Sequence, residues 1–117
     1  MKDFRNLIVW QKAHQLALKI YNVTKTFPPK EIYVLTSQVR RAALSIPTNL
    51  AEGCGRFTDA DFARFGQIAF GSASEVEYLI LFSRDIELIE INDYNSLNND
   101  VVEVKKMLSS LLQKLRA

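Results

Sequence analysis

Apolar residues recur at steps of three and four along nearly the whole chain, which predicts four amphipathic helices. The first, about residues 8–26, carries Val9, Ala13, Leu16, Ala17, Ile20, Val23 and Phe27 on one side, with Lys12 and Lys19 outside that stripe. Phe27-Pro28-Pro29 ends it, because proline cannot continue the hydrogen-bond ladder. The second, about residues 31–52, has a core stripe of Leu35, Val39, Ala42, Ile46 and Leu50. Pro47 inside it deprives the Ala43 carbonyl of its usual donor and predicts a kink, with Ser45 and Asn49 close enough to help satisfy the freed backbone. The third, about residues 59–88, opens at Thr58, with Asp61 where a capping box would close and Asp59 in the positive first turn. Phe62, Phe65, Ile68, Ala69, Ser72, Val76, Leu79, Ile80 and Ile86 are expected to face inward. The fourth, about residues 93–115, is expected to be capped by Asn92 and presents Val101, Val104, Leu108, Leu111 and Leu115. No segment reads as a strand. Short turns between long amphipathic helices predict a single all-α domain over 1–117, an antiparallel up-down-up-down four-helix bundle with a kinked second helix.

The second helix also carries a polar seam. Gln38, Arg41, Ser45, Asn49 and Glu52 fall within an arc of roughly 80° at 100° per residue, beside the core stripe. A solvated face would accept interchangeable Lys and Glu. This one sets a guanidinium, a carboxylate, two amides and a hydroxyl along the core margin, where each needs a partner if buried. The expectation is a specified interface or internal network. The third helix adds Ser72 and Glu75, for which Arg41 is the natural counter-charge. Gly66 and Gly71 each cost about 1 kcal/mol against alanine inside a helix, so close approach of another backbone is expected there, from the bundle or from a second subunit.

Composition narrows the class. At 117 residues, 48% hydrophobic and 24% charged, the chain suits one globular domain with one core. Its longest uncharged runs are too short to span a bilayer, its start lacks an apolar signal segment, and Cys54 is the sole cysteine. A reducing, cytoplasmic compartment with no membrane partner is therefore expected. Net charge is only +2, yet residues 1–58 hold nine Lys/Arg against three Asp/Glu, and residues 59–117 hold six against ten. Either neighbouring helices complement one another, or one basic face is left to hold phosphates. For the second case the candidate contacts are Lys12, Lys19, Arg40, Arg56 and Arg64, with Trp10 or Tyr33 able to stack on a base.

Catalytic chemistry finds little support. His14 projects from the polar side of the first helix without an acid–base partner. Cys54, between two glycines, has no second histidine in any motif to activate it. The Gly53-x-Gly55 turn lacks the Lys-Ser/Thr ending of a phosphate loop. No His/Cys cluster has metal-ligand spacing, and although Glu52, Glu75 and Glu77 could form a carboxylate site, the Glu-x-x-His pairing of di-metal bundles is missing. No catalytic residue, metal or cofactor is expected.

The run Gln38-Val39-Arg40-Arg41-Ala42-Ala43, with Ser45-Ile46-Pro47 and Asn49-Leu50-Ala51-Glu52-Gly53, resembles the signature of four-helix-bundle proteins encoded in intervening sequences of bacterial 23S ribosomal RNA genes. Ile68-Ala69, Gly71-Ser72 and Glu75 match a second signature, and Phe4, Leu7, Trp10-Gln11 and Phe27-Pro28 also agree. Gly66 and Phe70 depart from the familiar pattern, which has leucine at the first position and a polar residue at the second. The resemblance implies a homo-pentameric bundle without assigned enzymatic activity. It also implies kinship with accessory proteins of diversity-generating retroelements, which bind nucleic acid. Two readings remain open: an RNA- or DNA-associated accessory oligomer, and a structural or adaptor oligomer that binds other proteins, with the seam and the glycines at subunit contacts and Phe70 buried between chains.

Overall fold

The computed structural model describes residues 2–116, so the two terminal residues of the expected 1–117 domain lie outside the described residues. Four α-helices carry the fold: α1 (Ile8–Val23), α2 (Ser37–Cys54), α3 (Asp59–Asp85) and α4 (Ile91–Arg116). No strand occurs among the described residues. Each helix packs on the next, and α4 returns to α1. Cross-helix contacts pair rising with falling numbers: Lys12 and Lys19 of α1 meet Glu103 and Asp100 of α4, and Phe62 and Ser72 of α3 meet Gly53 and Ser45 of α2.

The core follows the helical stripes closely on α1, α2 and α4. Val9, Ala13, Leu16, Ala17, Ile20 and Phe27 are buried, as are Leu35, Val39, Ala42, Ile46 and Leu50. On α4 the buried set is Tyr94, Leu97, Val101, Val104, Leu108 and Leu112, while Leu111 and Leu115 are half-buried. The third helix departs from expectation. Ile68 and Ile86 are each 45% exposed and Ser72 is half-buried, whereas Ala63, Gly66, Ala73 and Ser83 lie inside. Large apolar residues occupy both sides of α3, and two overlapping stripes blur the period that marks a single core face.

Helix ends show what the sequence hides. Thr58 Oγ1 accepts from Asp61 N at 3.1 Å and caps α3. Asn92 does not cap α4: the helix starts at Ile91, and the Glu90 carbonyl takes the first hydrogen bond, from Tyr94 N. At the far end of α3, Leu88 N donates to Ser83 O and Glu87 N to Arg84 O, at 2.8 and 2.9 Å. This is a Schellman closure, whose left-handed position is normally glycine. Glu87 holds it at φ 65°, a conformation costing a non-glycine residue about 1 kcal/mol.

The approach to α2 is a 3-10 turn at Pro29–Glu31 followed by a π turn at Ile32–Thr36, where the Ser37 N–H reaches back to Ile32 O. Ile32, Tyr33 and Val34 stand exposed on this turn, and the buried Thr36 hydroxyl has no hydrogen-bond partner. Helix α2 then runs unbroken through Pro47. Thr48 Oγ1 donates to Leu44 O and Asn49 Nδ2 to Ser45 O, both at 2.8 Å. The extra side-chain bonds therefore fall on the two carbonyls after that of Ala43.

A candidate interaction face on the second and third helices

The polar seam lies on the outside of the bundle, along the groove between α2 and α3. Gln38, Arg41, Glu52 and Glu75 are exposed, and Ser45, Asn49 and Ser72 are half-buried. The centre is a neutral hydrogen-bonded trio: Ser45 Oγ and Ser72 Oγ lie 2.8 Å apart, and Asn49 Nδ2 donates to Ser45 Oγ at 2.9 Å. This joins the two helices side chain to side chain. Toward the π turn the groove widens to about 500 Å³, lined by Tyr33, Val34, Gln38, Arg41, Ser45 and Glu75 among others. Gln38 Nε2 donates to Glu75 Oε2 across it at 3.4 Å. The expected Arg41–Glu75 ion pair is not formed. Among the described residues neither side chain comes within 4.0 Å of an opposite charge.

Beside this groove α3 presents Ile68, Glu75, Tyr78 and Phe82, with Gly71 between the first two; the steps are three, four, three and four. Tyr78 is 60% and Phe82 42% exposed, and their ring centroids lie 6.3 Å apart. Tyr33, at 93% exposure, Val34 and Leu44 add apolar area from the α2 side. Sequence reasoning missed Tyr78 and Phe82. Their regular spacing was the available signal.

The glycines divide. A Cβ on Gly53 would stand 2.8 Å from Phe62 Cδ1 and 3.1 Å from Phe65 Cβ, so this glycine lets the α2–α3 turn close. At Gly66 the near neighbour is the flexible Leu112 Cδ2, at 3.0 Å. At Gly71 nothing lies within 4 Å. The backbone approach expected at Gly66 and Gly71 is thus a side chain in one case and open space in the other. Phe70 is half-buried toward α4, with Lys105 Nζ 5.2 Å from its ring centroid, away from the exposed stripe.

Four of the five candidate phosphate contacts are engaged within the chain. Lys12 pairs with Glu103 at 3.4 Å, and Lys19 with Asp100 and Ser96. Arg40 donates from Nε to Thr24 Oγ1 and from an Nη to Tyr21 O, while its guanidinium lies 4.7 Å from the Tyr21 ring centroid. It closes the carbonyl end of α1, which has no basic residue in its own last turn. Arg64 lies 4.0 Å from Asp61. Arg56 and Arg64 both converge on the Phe65 ring, at 4.7 and 5.0 Å, beside the 86% exposed Phe57. Trp10 is half-buried between Phe4 and His14, its centroid 4.8 and 4.9 Å from theirs; the His14 ring stacks nearly parallel to it. Cys54 is buried, and desolvation pushes its thiol pKa up, against the chemistry of a nucleophile.

The family model for the 23S rRNA-intervening sequence protein matches residues 5–110, and the chain belongs to that family. A solved protein of unknown function from the S23 ribosomal protein family of Bacteroides thetaiotaomicron is similar in structure, with a TM-score of 0.84 and 31% identity. The similarity covers 91% of this chain and 96% of that one. No curated protein matches the chain. No helix among the described residues is long and apolar enough to cross a membrane.

Proposed function

We propose that this protein is a non-enzymatic structural or adaptor oligomer, an antiparallel up-down-up-down bundle that assembles as a homo-pentamer through its α2/α3 face. The order of the cross-helix contacts supports the antiparallel topology. The observation that carries the functional reading is the exposed α3 stripe Ile68, Tyr78 and Phe82 next to the groove that the exposed Tyr33 and Val34 line from the α2 side. Clustered exposure of this kind marks an interaction site more often than a solvated face. The seam at its margin would fix register, because its hydroxyls and amide are already paired to one another. The five-fold count rests on family resemblance alone. The lone, buried, free cysteine supports a cytoplasmic location.

Sedimentation at micromolar concentration tests the reading. The expected result is a species several times the chain mass that a Tyr78→Glu/Phe82→Glu variant reduces to a folded monomer. A monomeric wild-type protein would overturn it.

A nucleic-acid accessory role, in the manner of the retroelement accessory proteins, is the second reading. It draws on one end of the molecule, where the amino-terminal segment meets the α2–α3 turn through Lys2 N and Cys54 O. There Lys2 Nζ stands 5.7 Å from the Phe62 ring and Arg56 and Arg64 converge on Phe65, next to the exposed Phe57, with Asp59 and Asp61 following in the sequence. Retention on RNA or DNA that falls steeply with salt would support this role. No retention at low salt would remove it.

A further inference from the structure

We propose that the cavity between α1, the π turn and the start of α2 binds a small aromatic anion. Arg41 holds the acid group, and the tyrosine and aliphatic side chains around the π turn hold the ring.

The cavity has a volume of about 450 Å³, within the range of small-molecule sites. Four of its lining side chains are large, exposed and mainly apolar: Tyr21 of α1, Ile32 and Tyr33 of the π turn, and Leu44 of α2. Two more are the guanidiniums of Arg40 and Arg41. No carboxylate among the described residues lines it, whereas Glu75 lines the neighbouring α2/α3 groove. A concavity with two cations and no anion selects for negative charge.

The two arginines have different parts. Arg40 is fixed in place, donating to Thr24 Oγ1 at 2.8 Å and to Tyr21 O at 3.2 Å, with its guanidinium 4.7 Å from the Tyr21 ring centroid. It supplies a positive charge at a set position. Arg41 is exposed and has no ion-pair partner among the described residues, which leaves its fork for a carboxylate or a phosphate.

Thr36 adds an independent observation. It lines the same cavity, is only 5% exposed, and its hydroxyl has no hydrogen-bond partner. A buried orphan hydroxyl is costly to keep, and beside two cations it adds a donor suited to an acceptor-rich ligand. The segment that carries it, Ile32–Thr36, is a π turn, a distortion that concentrates at functional sites. Tyr33, on the same turn and 93% exposed, offers a face on which a flat ring can stack.

Saturation-transfer NMR on the full chain tests the site with phenyl phosphate, benzoate and benzyl alcohol. The three share a ring and differ in the group it carries. Both anions are expected to bind about tenfold or more tighter than benzyl alcohol, and the tighter of the two identifies the acid. Arg41→Gln should remove that advantage, and Tyr33→Ala should weaken both anions severalfold. Arg56→Gln, the same loss of charge beyond the other end of α2, should leave both unchanged. Circular dichroism checks that each variant keeps its helicity. No transfer to either anion at millimolar concentration overturns the site, as does an Arg41→Gln variant that still prefers the anions. Equal losses in Arg41→Gln and Arg56→Gln would assign the binding to net charge and overturn it too. Unchanged anion binding in Tyr33→Ala overturns the seat of the ring.

Discussion

The α1/α4 side and the α2/α3 side of this bundle share one core and have unlike surfaces. Along α1 and α4, lysines meet carboxylates across the helix boundary, at Lys12–Glu103 and Lys19–Asp100. The exposed apolar residues of α1 are Ile8, Leu18 and Tyr21, the last with the Arg40 guanidinium over its ring, and α4 exposes Ile91 at its first position. Scattered single residues of this sort are normal on a soluble surface. Along α2 and α3 the central hydrogen bonds are neutral, Arg41 and Glu75 lie beside them without an ion-pair partner among the described residues, Glu75 taking only a long hydrogen bond from Gln38, and the large apolar residues are grouped. The α1/α4 side pairs two of its lysines across the helices, and the α2/α3 side groups its exposed apolar residues around two charges that have no ion-pair partner among the described residues. That difference is what the proposed assembly rests on.

The comparison can be broken at its deepest level first. Ile46 on α2 and Leu108 on α4 are both fully buried, so Ile46→Ala and Leu108→Ala are each expected to cost about 2–5 kcal/mol in denaturant unfolding at fixed chain concentration. Very unequal costs would mean that the two sides also differ inside. Gly53→Ala should follow at about 1–3 kcal/mol, because the new methyl meets Phe62 and Phe65. Thermal unfolding of that variant tests whether the α2–α3 closure is as tight as its distances. Glu87→Gly should gain about 1 kcal/mol by relieving the left-handed residue at the end of α3, and should leave assembly unchanged.

Smaller effects sharpen the contrast of the surfaces. Lys19→Ala removes a pair whose side chains are 41% and 39% exposed, so it should cost at most about 1 kcal/mol and leave the oligomeric state as it is. A loss of assembly would mean that the α1/α4 side is also a contact. The smallest effect is expected at Cys54, where burial raises the thiol pKa above its ordinary 9.0. The unfolded chain therefore ionises first, and stability falls as pH rises past that value. Thiol-reagent kinetics between pH 7 and 9 should show a slow native reaction that speeds on unfolding.

Much of this architecture was legible in the sequence. The stripes of α1, α2 and α4 are regular because each buries a single face, and Thr58 announces the start of α3 chemically. The end of α3 was hidden because glutamate fills a glycine position. The inner face of α3 was misread because Ile68 belongs to a surface stripe with the same helical period as the core, and because Ile86 lies just past the end of the helix. Arg40 was read as a phosphate contact, since nothing local marks a side chain that closes the end of a different helix. The seam residues were legible as a set. Their placement on the outer groove, with Arg41 and Glu75 apart, depends on how α2 and α3 are rotated, which no residue spacing specifies.

The π turn at Ile32–Thr36 has a consequence for how this surface can change over generations. Such a turn holds one residue more than α geometry needs and absorbs it in a wider loop of backbone. It has the form of a single-residue insertion accommodated without breaking the helix. Each residue of an α-helix turns the chain by about 100°, so losing one residue here would swing Ile32, Tyr33 and Val34 by that angle against Ser37 and all that follows. Tyr33 and Val34 would leave the groove together while the core of α2 kept its register. A one-codon deletion could thus re-aim the rim of this groove and spare the fold.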